Sequence, residues 1–184
     1  MKKICFLLVL FLCPFCVFAI DLASNAKSAI IIEPTTGKII FEKNSNERLE
    51  PASMTKIMTL LLTFEAIDNG RVSLDDMVNI SKRAEDMGGS QMFLEAGSNI
   101  RLEEIIKGVS IASANDGAIA LAEFIGGSVE NFVDMMNKKV EDLGLSNTHF
   151  ANPHGLHADN HYSSAYDMAI MASNLISHEK VLNY

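Results

Sequence analysis

The apolar positions change their period along the chain. A basic pair, Lys2-Lys3, precedes an apolar run over residues 4–18 that only Pro14 interrupts. Two shorter apolar runs, residues 28–32 and 38–41, flank Glu33-Pro34-Thr35-Thr36-Gly37 and predict a β-hairpin. After Pro51, Ile57, Leu60, Leu61, Phe64 and Ile67 recur at steps of three and four, which predicts a buried helix over residues 53–69 ended by Gly70. Residues 73–76 read as a turn, 77–80 as a short strand, and 81–97 as a loop with a short extended piece at 91–94. Helices follow over 102–111 and 116–125, and a third, capped by Ser128, runs to Leu143 with Phe132, Met135, Met136, Val140 and Leu143 inward. Residues 147–160 are irregular; Ser163 or Ser164 caps a last helix whose core candidates are Met168, Ile170, Met171 and Leu175. A hairpin followed mostly by helices, with no βαβ alternation, is an α+β pattern and disfavours a Rossmann-like parallel sheet.

Composition narrows this further. The 184 residues are 48% hydrophobic, enough for a sizeable core and for one domain. The net charge is −8 and no basic run survives past the first residues, so a nucleic-acid partner is disfavoured. The basic start, the apolar run and the end Val17-Phe18-Ala19 have the layout of a cleavable secretory signal over residues 1–19, cut after Ala19. The run is too short to span a bilayer comfortably. All three cysteines lie within it, so the mature chain, 20–184, forms no disulfide and no cysteine-ligated metal site. The expected location is the periplasm or envelope of a bacterium.

The sharpest chemistry lies in Pro51-Ala52-Ser53-Met54-Thr55-Lys56. Ser53 and Lys56 share one helical face, near a helix start whose N–H groups favour developing negative charge. A serine hydroxyl needs a base, and a lysine serves only if desolvation or a nearby cation lowers its pKa. The same spacing recurs at Ser24–Lys27 and Ser177–Lys180, and a helix cap beside a solvated lysine explains any one match equally well. Ser113-Ala114-Asn115, between two helices, is the only S-x-N in the chain; a hydroxyl and a carboxamide there can relay a proton and hold a peptide, or Asn115 can simply cap the next helix.

Together with His154-Gly-Leu-His-Ala-Asp159, Tyr162-Ser-Ser164 and Leu143-Gly-Leu-Ser-Asn-Thr-His-Phe150, these motifs resemble the D-alanyl-D-alanine carboxypeptidases, the low-molecular-mass penicillin-binding proteins. The resemblance covers residues 20–184 in order. It implies the penicillin-binding/β-lactamase-like transpeptidase fold, here the helical lobe and first strands of the antiparallel sheet with the C-terminal part missing. It implies Ser53 as the acylated nucleophile, Lys56 as general base, Ser113 as proton relay and Asn115 as substrate-binding residue. The substrate is then a peptidoglycan stem peptide, with β-lactams as acylating ligands and no metal or organic cofactor. The family's third motif, K-T-G, is absent from the 184 residues, as are its C-terminal domain and membrane anchor; this favours an impaired enzyme and supports a rival reading as a non-catalytic binding remnant or half of a split enzyme. A β-lactamase is a weaker rival, since no glutamate lies between Glu141 and Glu179. His149, His154, His157 and His161 could ligate zinc if helical, but Pro153, Gly155 and Asn160 make the stretch a loop, expected at the rim of the site.

Overall fold

The computed structural model describes residues 22–184; the expected leader and the three cysteines lie outside them. The hairpin forms as β1 (Ala29–Ile32) and β2 (Ile39–Lys43), antiparallel with Ala29 opposite Lys43 and Ile31 opposite Phe41. Its turn is built by Glu33, whose carboxylate accepts the N–H groups of Thr35 and Thr36 and the Thr36 hydroxyl, which lowers its pKa to about 2. Among the described residues this sheet has two strands only.

A 3-10 turn, Ala52–Thr55, runs into the central helix α1 (Lys56–Asp68). Ser53 therefore sits in the 3-10 turn, one residue pair ahead of the α-helix, not inside the helix expected from residue 53. The expected apolar stripe is also only half right. Leu61, Phe64 and Ile67 are buried, but Ile57 and Leu60 are half-buried while Met58, Leu62 and Ala66 are buried. Helices on several sides enclose α1, so it has no single apolar face.

The strand expected at 77–80 is β3 (Met77–Asn79), paired with β4 (Asn99–Arg101), which the periodicity does not reveal. The segment between them is not all loop: α2 (Lys82–Glu85) is capped by Ser81, whose hydroxyl accepts the Ala84 N–H. No strand forms at 91–94; Phe93 takes a left-handed φ of 60° instead. The remaining helices are α3 (Leu102–Ile111), α4 (Asn115–Gly126), α5 (Val129–Asp142, capped by Ser128) and α6 (Ala165–Ile176). Ser164, not Ser163, caps α6 by accepting the Asp167 N–H; Ser163 shares a hydrogen bond with Thr148 instead.

Phe64, Phe132, Phe150, Met58, Ile105, Ile106, Leu121 and Met136 fill the core between these helices. Gly126 lets α4 and α5 meet closely, since a Cβ there would lie 2.9 Å from the Phe132 backbone nitrogen. Two methionines, Met54 and Met77, are exposed. Among the described residues no helix is long and apolar enough to cross a membrane.

Candidate active site

Three of the four expected site residues are brought together around one amine. Lys56 opens α1 and is only 4% exposed, while Ser53, one turn earlier, is exposed. The Lys56 Nζ donates to Asn115 Oδ1 at 2.8 Å and to the His154 carbonyl at 2.8 Å, and lies 3.4 Å from Ser53 Oγ. Burial lowers its pKa to about 8, because the charged form loses hydration. The other two Ser–Lys matches lack this setting: Ser24, Lys27, Ser177 and Lys180 are all exposed.

The geometry suits both protonation states. As an ammonium, Lys56 has three hydrogens for three acceptors. As an amine, its two N–H bonds go to the shorter contacts, Asn115 and His154, and its lone pair is left facing Ser53 Oγ. A 3.4 Å separation is loose for a hydrogen bond, as is common in sites without substrate.

Asn115 is oriented from both ends. Its Oδ1 accepts from Lys56, and its Nδ2 donates to the Gly88 carbonyl at 2.8 Å. Its backbone N–H donates to the Ser90 carbonyl at 2.7 Å. Asn115 is the first residue of α4, with Ala114 at the capping position, so it does not cap the helix. The next residue, the buried Asp116, accepts N–H groups from Met92, Leu94 and Gly117. Residues 88–94 are thus pinned to the start of α4, and Gly89 is needed there: a Cβ would meet Asn115 Nδ2 at 2.7 Å.

Ser113 stands apart from the lysine cluster. Its φ is 56°, a strained value for a residue other than glycine, and among the described residues its buried Oγ has no hydrogen-bond partner. Strain and an unsatisfied hydroxyl thus coincide in this one residue.

The histidine-bearing loop covers this cluster, and among the described residues no three His, Cys, Asp or Glu side chains gather as metal ligands. Each ring has its own partner. His149 bonds the Asn160 carbonyl, His157 pairs with Glu50, and His154 Nδ1 accepts the Leu156 N–H. His161 Nδ1 accepts the Ala151 N–H, so its Nε2 carries the hydrogen and donates to Thr55 Oγ1 at 2.8 Å. Burial lowers the pKa of His154 to about 4, helped by the Lys56 charge, and burial also lowers that of His161. Sequence reasoning placed this loop at the rim but missed that the His154 carbonyl, a backbone group, touches Lys56. It also missed Gly88, Ser90 and Asp116, for which the Gly88-Gly89 pair was the one visible signal.

Solved structures share this fold and define its class. The chain superposes with a TM-score of 0.83 on the D-alanyl-D-alanine carboxypeptidase DacD from Francisella tularensis, at 40% identity over 85% of this chain and 38% of that one. Penicillin-binding protein 5 from Haemophilus influenzae matches with a TM-score of 0.79 at 39% identity, over 83% of this chain and 45% of that one. The fold is thus the penicillin-binding, DD-transpeptidase fold, in its helical lobe and first strands. The chain belongs to the D-alanyl-D-alanine carboxypeptidase family, whose profile matches residues 18–184. Among curated relatives, it is 56% identical to DacF of Bacillus subtilis over 89% of this chain and 42% of that protein, and 40% identical to DacA of Escherichia coli over 83% and 39%. The chain therefore spans about two fifths of the length of these relatives.

Proposed function

We propose that this chain carries the serine–lysine part of a D-Ala-D-Ala carboxypeptidase that removes the terminal D-alanine of peptidoglycan stem peptides. The observation that carries the reading is the buried Lys56 amine, with a pKa of about 8, whose two shorter bonds leave its lone pair for Ser53. Lys56 takes the Ser53 proton as Oγ attacks the carbonyl of the penultimate D-alanine. The tetrahedral intermediate collapses by breaking the C–N bond, and Ser113 passes a proton to the departing D-alanine amine. Water then hydrolyses the ester, returning the Ser53 hydroxyl and releasing the shortened peptide. Asn115 holds the peptide backbone, and the Ser53 N–H supplies one oxyanion donor. A β-lactam acylates the same oxygen. The protein is exported to the periplasm or envelope, with residues 1–19 as its signal.

Peptide mapping after treatment with a reactive β-lactam tests this. The adduct is expected on Ser53 in protein that is recovered from the envelope and begins at Ile20. Ser53→Ala is expected to abolish it without loss of fold, since Ser53 is exposed and caps nothing, and such a surface change costs about 0.5 kcal/mol. An adduct on Ser24, Ser113 or Ser177, or none at all, contradicts the assignment.

A further inference from the structure

We propose that the turn from Asn152 to Leu156 is a positioning element for the Ser53–Lys56 pair, and that Asn152 is the residue that holds it. The inference rests on the role given to Lys56 above and adds a residue that touches neither reacting group. Asn152 closes the turn on itself with three bonds. Its Oδ1 accepts the N–H groups of His154 at 3.2 Å and Gly155 at 2.7 Å, and its Nδ2 donates to the Leu156 carbonyl at 2.9 Å. So fixed, the turn meets the start of α1 at three points. The Pro153 carbonyl accepts from Thr59 Oγ1 at 2.7 Å, and the His154 carbonyl accepts from Lys56 Nζ at 2.8 Å. Gly155, with a φ of 91°, packs so closely on Ala52 that a Cβ would lie 1.9 Å from its carbonyl oxygen. Ala52 itself holds a left-handed φ of 48° immediately before Ser53.

One five-residue turn therefore presses on the residue before the serine and binds the lysine directly. Ser53 sits on the 3-10 turn and Lys56, three residues on, is the first residue of α1; the Asn152–Leu156 turn gauges the pair from outside. It also covers the lysine amine and keeps water from it.

The ionisable groups around the turn are His154, His161 and Arg83 of α2. Both histidines titrate below their ordinary range, so neither changes charge where Lys56 does.

The test follows lysine reactivity with acetic anhydride across pH 6.5–11, mapped by mass spectrometry. Unmodified chain is expected to show Lys56 titrating near pH 8. In Asn152→Ala and in Gly155→Ala, water reaches the amine, and the Lys56 midpoint is expected to move up by about one unit or more toward the ordinary lysine value. Asn152→Ser, whose hydroxyl can accept one of the two N–H groups, is expected to fall between and serves where the harsher variants do not fold. Ser128→Ala, which loses the cap of α5, is expected to lower stability without moving Lys56. The proposal is overturned if the folded turn variants titrate Lys56 with wild type, or if Ser128→Ala moves it as far. Failure of β-lactam to label Ser53 in the unmodified chain removes the role assigned to that pair, while the titration still decides what the turn does.

Discussion

A lysine enclosed by a carbonyl, a carboxamide and a hydroxyl leaves a signature in the pH dependence of stability. Folded Lys56 titrates near 8, against 10.5 for an ordinary lysine. Between those values the unfolded chain holds a proton that the folded chain lacks, so stability rises with pH across that window. His154, also depressed, contributes its rise below pH 6.5. Tyr184, whose phenol is raised by burial, contributes a fall only above pH 10. Urea midpoints of wild type should therefore climb relative to Lys56→Met from pH 7.5 to 10, and parallel curves would show that the amine is not desolvated. With Lys56 as the base in the proposed reaction, acylation of Ser53 should climb through the same pH, as the amine becomes neutral.

At the scale of elements, Asp116 does for residues 88–94 what no strand does. Its buried carboxylate takes three backbone N–H groups, two of them from Met92 and Leu94 on either side of the exposed Phe93. Removing it strands these donors at about 1–3 kcal/mol each where they are buried. Asp116→Ala should lose about 3 kcal/mol in urea unfolding, and Asp116→Asn, which keeps one acceptor, markedly less. A loss under about 1 kcal/mol for alanine would mean the segment holds itself. This element also shows where sequence reading stops. The helices α3 and α5 were legible from apolar spacing and Ser128, because each has one face to bury, whereas α4 is buried on nearly every side. β4 and α2 were not: three residues of strand and four of helix span little more than one period, too few for a pattern to repeat. The S-x-x-K and S-x-N patterns singled out Ser53, Lys56 and Asn115, and the family resemblance supplied the roles expected of them. The work of Asn152, Asp116 and the His154 carbonyl was not, because a side chain bonding to backbone in a loop leaves no periodic trace.

Across the whole molecule, some apolar surface stays exposed. Among the described residues the hairpin pairs with no further strand, and Ile39 and Ile40 are exposed on β2. An apolar groove runs between β1, α1 and α6, lined by Ile30, Met54, Ile57, Met168, Ala169 and Ala172. The 184 residues also contain no K-T-G, which in the family's pattern supplies a cation and the second oxyanion donor. One such donor is typically worth about 2.7–4 kcal/mol, roughly 100- to 1000-fold in rate. This chain by itself should therefore release D-alanine from a pentapeptide stem at least that much more slowly than the same chain joined to a segment bearing K-T-G. Turnover of about 1 per second or more by the shorter form would show that the motif is dispensable.

The separation in sequence of the groups that build the site sets the order in which it can come into being. Ser53 and Lys56 meet within a single turn, but their enclosure is remote: Asn115 comes from 59 residues on, Pro153, His154 and His161 from 94, 98 and 106. Contacts across such loops form late in folding, after the local helices. Thr55, Lys56 and Thr59 thus spend the early part of folding hydrated, with an ordinary, protonated lysine beside the serine. The Lys56 amine acquires its lowered affinity for protons only when residues 115–161 close over it, so the nascent chain is chemically quiet until that segment has been made and packed.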